Sequence, residues 1–179
     1  MYILRYYFLL VFGFCAIAFA WGENIQSMEA DFEQLIENEG GIDMFYKGKI
    51  FGKSPNKAKW EYQMPLKKEI YMNNGEVMIY EPALEQVSYS RLRTKSDFIS
   101  IMKSAIKQAD GSYRTSVDNV EYTLYVDKND KPKSISFVDS MGSKSVLKFS
   151  NVKLNGTLND KLFVFKVPEG VEVVEIKSR

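Results

Sequence analysis

The sequence predicts a mainly β protein of about eleven short antiparallel strands with two helices, and three observations carry that reading. From Met44 onward, apolar and polar side chains alternate with a period of two over most of the chain. In "NKAKWEY" (56–62), Lys57, Lys59 and Glu61 share one parity, and Ala58, Trp60 and Tyr62 share the other. Turn-forming residues interrupt these runs at short intervals. Only two stretches place apolar residues at helical spacing. A sheet of many short strands usually closes on itself or wraps around something, because open edges invite further pairing.

The first stretch, "MYILRYYFLLVFGFCAIAFA", holds one cation, Arg5, and then an uncharged run that ends in the A-x-A pattern Ala18-Phe19-Ala20. This is the form of a secretory signal peptide over residues 1–20, with cleavage after Ala20. The alternative is an uncleaved anchor, since the run is near the lower limit for spanning a bilayer. Cys15 is the only cysteine and lies inside this segment. Phe14 before it is too large for a lipoprotein-processing site, so a mature chain over 21–179 would carry no thiol. Removing Arg5 with the leader leaves one cation fewer than the chain's 24, matching its 23 acids. That balance argues against a nucleic-acid partner, which needs clustered positive charge. The remaining length suits one domain with a sizeable core.

Residues 25–38 place Ile25, Met28, Phe32, Leu35 and Ile36 at helical spacing before Gly40-Gly41, which predicts an amphipathic helix. Strands are then predicted near 44–52, 57–63, 67–72, 76–81 and 84–90. Ser54-Pro55-Asn56, Met64-Pro65, Asn74-Gly75 and Glu81-Pro82 separate them, and Asn74-Gly75 is a tight-hairpin signal. A second helix is predicted over 96–109. Ser96 can cap it, Asp97 suits its positive end, Gly111 stops it, and Phe98, Ile99, Met102, Ala105, Ile106 and Ala109 share one side. Strands near 112–117, 119–126, 133–139, 144–153, 162–166 and 171–176 complete the chain.

The chain contains no histidine. Without histidine, and without cysteine once processed, the common nucleophile–base pairs cannot be built, and soft or borderline metals lose their usual ligands. Glu61, Glu69, Glu76, Glu81 and Glu85 alternate with lysines as on a solvated sheet face. No phosphate-binding loop occurs, and Gly48 and Gly52 lie within a strand, where glycine marks curvature or close packing. The reading is therefore a protein that is not an enzyme, with no catalytic residues, no metal and no cofactor.

Large apolar residues are expected to point inward at Tyr46, Ile50, Trp60, Tyr62, Ile70, Met72, Met78 and Tyr80 in the first half. In the second half they are Val120, Tyr122, Leu124, Ile135, Phe137, Leu147 and Phe149. Each is ordinarily core. Together, under helices with apolar faces, they could equally leave a cavity, and unbranched Met28, Met72, Met78 and Met102 can repack around a variable guest. Periodicity alone does not separate a filled interior from a vacant one.

Read in order, "MEADFEQ" (28–34), "GKIFGKSPNKAKWEY" (48–62), "MPLKKEIYMNNGEVMIYEPALEQV" (64–87) and "FVFKVPEGVEVVE" (163–175) resemble the LolA family of periplasmic outer-membrane lipoprotein carriers. The family-like positions are Phe32, Gln34, Gly48, Pro55, Trp60, Pro65, Gly75, Tyr80, Leu84, Gln86, Phe163, Phe165, Pro168, Gly170 and Val171. The resemblance implies an incomplete, strongly curved antiparallel β-barrel with a helical lid over an apolar cavity for acyl chains. Its expected lining is Ile50, Trp60, Tyr62, Ile70, Met72 and Phe137 from strands, with Phe98, Ile99, Met102 and Ile106 from the lid. Lys53, Ser54, Pro55 and Ala58 fall in the family's latch and docking region. Well-known members carry a lid-binding arginine where this chain has Ser54, and a phenylalanine where it has Ala58.

The partners implied are acylated lipoproteins, an inner-membrane lipoprotein-releasing ABC transporter complex and an outer-membrane receiver, with a monomeric carrier in the periplasm. A carrier of another lipid or a lipoprotein-sensing regulatory domain would share the fold. A small outer-membrane barrel is disfavoured, because Lys57, Lys59, Lys67 and Lys68 interrupt the strands.

Overall fold

The computed structural model describes residues 21–38, 41–92, 97–139 and 142–176. The expected signal peptide, the capping role of Ser96 and the last three residues lie outside the described residues. Among those described, twelve strands form one sheet. They are β1 (Ser27–Glu37), β2 (Met44–Lys53), β3 (Lys57–Met64), β4 (Lys68–Asn73), β5 (Glu76–Glu81) and β6 (Gln86–Arg91). After the single helix α1 (Phe98–Ser104) come β7 (Ile106–Lys107), β8 (Tyr113–Val117), β9 (Val120–Val126), β10 (Pro132–Val138), β11 (Lys144–Leu154) and β12 (Glu172–Glu175). Short 3-10 turns occupy Pro82–Leu84 and Asp160–Phe163.

Strand order across the sheet is β12-β6-β5-β4-β3-β2-β1-β11-β10-β9-β8-β7. Two antiparallel meanders, β2 to β6 and β7 to β11, are therefore joined by β1, which pairs with β2 on one side and β11 on the other. The expected antiparallel barrel of about eleven strands is corrected to an open, mixed sheet of twelve. β12 runs parallel to β6, and the end strands β12 and β7 do not pair with each other.

The expected helix at 25–38 is strand β1. Met28, Ala30, Phe32 and Gln34 are buried on one face, while Glu29, Asp31 and Glu33 alternate on the other. Met28, Phe32 and Ile36 are spaced by four, a spacing that fits a helical stripe and one face of a strand equally well. The acids decide for strand: Lys47 and Lys49 of β2 reach Glu33 and Asp31, each at 2.6 Å, and Lys153 and Lys144 of β11 reach Glu29 and Glu37 at 3.2 and 2.9 Å. Such cross-strand pairs reward the extended form from both sides.

The second helix is shorter than predicted. Asp97 caps α1 by accepting from Ser100 N at 2.8 Å, and Ala105 is already extended. Ile106 and Lys107 then pair with β8, so Ile106 leaves the helix. Phe98, Ile99 and Met102 are buried against the inner face of the sheet. Two glycines allow this approach. A Cβ on Gly52 would stand 3.1 Å from Ile99, and one on Gly22 would collide with the Met102 carbonyl.

The inner face carries the main core: Ile25, Met28, Phe32, Ile50, Phe98, Ile99, Met102, Tyr113, Leu124, Ile135 and Leu147 among others. Met78 and Tyr80, expected on this face, point to the other. Asn73 pairs with Glu76 across the Asn74-Gly75 turn, so even positions face inward in β4 and odd positions face inward in β5. The outer face there is covered by the segment after β11. The predicted strand at 162–166 is instead the 3-10 turn and extended chain of this segment. Phe163 is only 1% exposed, and the Phe165 ring lies 5.0 and 5.4 Å from those of Tyr71 and Tyr80.

Candidate functional site

Between the inner face of the sheet and α1 lies a pocket of about 330 Å³. Its sheet side is built by Trp60, Tyr62 and Met72 from the first meander, Gln34 from β1, and Tyr122, Ile135, Phe137 and Leu147 from the second. Asp97, Phe98 and Ile101 come from the capped helix, with Leu92, Val117 and Asp118 completing the wall. Strand alternation puts the β-strand residues on one face, and the fold brings the two meanders to one space.

Aromatic rings set the shape of the floor. Phe32 meets Trp60 and Tyr62 edge-on at 5.3 and 5.1 Å, and Phe98 meets Trp60 and Phe149 at 5.9 and 5.4 Å. Trp60 and Tyr62 stack at 6.5 Å. Edge-to-face contacts hold rings at fixed angles, so these side chains form a wall that cannot simply collapse into the space beside them. The Tyr62 hydroxyl donates to Gln34 Oε1 at 3.1 Å, and Gln34 Nε2 donates to Ser145 Oγ at 3.4 Å. Burial, then the field of Tyr46, pushes the Tyr62 hydroxyl up to about 12. It stays a neutral donor at any physiological pH.

Of the expected acyl-chain lining, Trp60, Tyr62, Met72, Phe98 and Phe137 border the pocket. Ile50, Ile99 and Met102 are fully packed core beneath the lid rather than pocket wall. Ile70 shares the inner face between Trp60 and Ile79 but is not part of the wall. Ile106 is 55% exposed on edge strand β7 and is not part of the pocket wall. The wall residues Leu92, Asp97, Ile101, Val117 and Asp118 were not anticipated. All of them sit in or beside the lid connection or the β8–β9 turn, off the apolar faces that periodicity marks out.

The latch region resolves in two directions. Lys53 turns to the outer face, donating to the Leu158 carbonyl at 2.8 Å and to Asp160 at 2.6 Å. Ser54 faces the lid: Lys103 Nζ of α1 donates to Ser54 Oγ at 3.1 Å and to Gln26 Oε1 at 3.4 Å. The long cation therefore sits on the lid and its acceptor on the β2–β3 turn. Pro55 is exposed, and Ala58 is fully buried in β3, so Ala58 offers no surface to a partner.

Among the described residues there is no group of three or more His, Cys, Asp or Glu placed to hold a metal ion, and no helix long and apolar enough to cross a membrane. What the geometry can do is shelter hydrocarbon.

Comparison with known proteins agrees with that chemistry. The profile of the family described as "Outer membrane lipoprotein carrier protein LolA" matches residues 23–122 and 113–166. An outer-membrane lipoprotein carrier protein of Helicobacter hepaticus is 59% identical over 179 residues, covering 100% of both chains. One from Helicobacter pylori is 42% identical over 153 residues, 85% of this chain and 82% of that one. The crystal structure of an uncharacterized conserved protein from Thermus thermophilus shares the fold, with a TM-score of 0.53 at 15% identity over 88% of this chain and 94% of that one. A family match over most of the chain and a relative 59% identical over its full length lead to one conclusion: the chain belongs to the LolA family of outer-membrane lipoprotein carriers, which transport rather than catalyse.

Proposed function

We propose that the pocket beneath α1 receives the acyl chains of lipoproteins leaving the inner membrane and shields them across the periplasm. The observation that carries this reading is an apolar space walled by rigid aromatic contacts yet roofed by only seven helical residues. A triacylated lipoprotein exposes about forty methylenes, which at ~0.8 kcal/mol each amounts to roughly 30 kcal/mol in water. Unshielded diffusion is ruled out on that figure.

The pocket as it stands is too small for such a load. At about 30 Å³ per heavy atom, the share a water molecule takes in the liquid, it holds roughly eleven heavy atoms, part of one acyl chain. The lid must therefore swing away during loading, and the sheet must wrap around what enters. Chain length supports the wrapping. The link from β6 to β7 has seven helical residues that rise about 10 Å and seven others that reach at most ~25 Å. A flat sheet would separate those strands by ten steps of about 4.8 Å, ~48 Å in all, so the sheet bends toward its own lid.

Few polar contacts hold the lid, the clearest being Lys103 to Ser54 and Gln26. Acyl chains that enter against the sheet offset the burial of Phe98, Ile99 and Met102 lost on opening, so the empty closed and loaded open forms lie close in free energy, and a receiver that holds lipid better takes the load. Extraction from the inner membrane is driven by a lipoprotein-releasing ABC transporter, and delivery is to an outer-membrane receiver. Residues 1–20 direct export and are removed after Ala20, leaving Trp21, whose ring packs 5.3 Å from that of Tyr113, at the start of the mature domain.

The test is release of radiolabelled lipoproteins from spheroplasts into solution with and without the purified protein. Release that depends on the protein, with lipoprotein bound to it by native mass spectrometry, is the expected result. No release, or co-purification of some other lipid alone, overturns the lipoprotein assignment.

A further inference from the structure

The pocket wall is mostly apolar, and one of its few polar side chains has a chemistry of its own. Asp97 is 3% exposed and borders the pocket. Its Oδ1 is engaged in capping α1, accepting from Ser100 N at 2.8 Å and from Ser100 Oγ at 3.2 Å. Its Oδ2 is buried and has no hydrogen-bond partner. A capping role needs one oxygen, so the second is left over. Leaving a buried carboxylate oxygen without a donor is costly, and the few such groups in a native fold require an explanation.

The surroundings say what would satisfy it. The other polar side chain reaching in from β1, Gln34, is already paired at both ends of its amide, to Tyr62 and to Ser145. Asp118 also borders the pocket, and its field contributes, after burial, to raising the Tyr122 hydroxyl. Among the described residues that border the pocket there is no lysine or arginine. Asp97 Oδ2 is therefore one acceptor awaiting a donor beside a greasy wall. It fits a nitrogen attached to acyl chains and repels a phosphate or carboxylate head.

We infer that Asp97 is a head-group anchor: its free carboxylate oxygen accepts from the α-nitrogen of the acylated cysteine of the cargo, and binds the unacylated α-ammonium better than the N-acylated amide. This rests on the carrier reading above. A phosphatidylethanolamine head also bears an ammonium, but it carries a phosphate that the Asp97 carboxylate repels, which favours the lipopeptide.

The experiment measures binding of three probes to the mature protein by quenching of tryptophan fluorescence: an S-dipalmitoylglyceryl-cysteinyl peptide with a free amine, its N-palmitoylated counterpart, and phosphatidylethanolamine. Wild type is expected to prefer the free-amine peptide over the other two. Asp97→Asn and Asp97→Ser both keep a helix-capping oxygen. Each is expected to lower affinity for the free-amine peptide about tenfold, the size of one charge-assisted hydrogen bond, while affinity for the N-palmitoylated peptide changes by less than about threefold. Equal losses for both peptides, no loss for either, or equal binding of phosphatidylethanolamine by wild type would overturn the anchor. Failure of every probe to bind wild type would instead overturn the carrier reading, so the two failures are distinguishable.

Discussion

Gly48 in β2 has no room for any side chain. A Cβ there would collide with the Glu61 carbonyl of β3 and stand 2.9 Å from Phe32 Cε1, so the glycine lets β3 and the Phe32 ring approach β2 closely beside the aromatic cluster. Gly48→Ala is expected to cost about 3 kcal/mol, read as a drop in the urea midpoint at unchanged slope, because backbone and ring must both move. Trp60 tests function rather than stability. It borders the pocket and is only partly buried, so Trp60→Asp places a charge at the wall without emptying the core, and lipid uptake should be abolished in a protein that still unfolds cooperatively. Retention of lipoprotein at wild-type level in that variant would show that the acyl chains lie elsewhere. Met102→Asp is a poorer probe, since Met102 is fully buried and the charge would unfold the lid.

The lid is the element whose behaviour matters, and its polar hold on the β2–β3 turn is slight. Lys103 is the one α1 side chain seen bridging to the β2–β3 turn, reaching Ser54 and Gln26 from a partly exposed position. An exposed cation paired with neutral acceptors contributes under about 1 kcal/mol, so Lys103→Met should leave global stability nearly unchanged. It should nonetheless raise hydrogen exchange in α1 and speed lipoprotein transfer out of the carrier; unchanged exchange would mean the helix is held by Phe98, Ile99 and Met102 and by the Ser104 hydroxyl bond to Thr115 at 2.8 Å. This element also marks where sequence reading stops. Alternation located ten of the twelve strands, and with them Trp60, Tyr62, Met72 and Phe137, because a face is set by parity within a strand. Parity does not carry across a two-residue hairpin, so Met78 and Tyr80 fell on the wrong side. A four-residue spacing could not tell β1 from a helix. The polar part of the wall was not legible because Asp97 and Asp118 come to one pocket only after the chain has crossed from one meander to the other. Lys103 reads in the sequence as solvated helix surface and acquires its role only when α1 lies down beside Ser54.

At the scale of the whole molecule, the sheet has a second, outer core that the carrier reading leaves unused. After β11 the chain turns back along the outer face: Asn155 N donates to the Ser27 carbonyl at 2.8 Å, Phe163 is buried, Phe165 joins Tyr71 and Tyr80, and β12 finally adds beside β6. This strap splints the first meander from behind, so the pocket wall of Trp60, Tyr62 and Met72 keeps its shape when the lid moves. Phe163→Ala should cost about 3–5 kcal/mol by opening a cavity under the strap, and should weaken lipid binding although Phe163 touches no part of the pocket. Asp160 pins the same segment through Lys53 and Lys57 at 2.6 and 3.0 Å. Hydrogen bonds from Lys53 and then Lys57 hold its carboxyl below the ordinary 3.8. A folded value below the unfolded one means the stabilisation is fully present above the ordinary carboxylate range and is lost as pH falls through the lowered value. Acid should therefore loosen the strap below about pH 4, seen as proteolytic cutting within residues 155–171 before the remainder of the sheet opens. In Asp160→Asn the cutting should already occur at neutral pH and depend little on acid; a variant with the wild-type acid profile would assign the pH response to other pairs, such as Asp31 with Lys49, and leave the strap held by its aromatic residues alone.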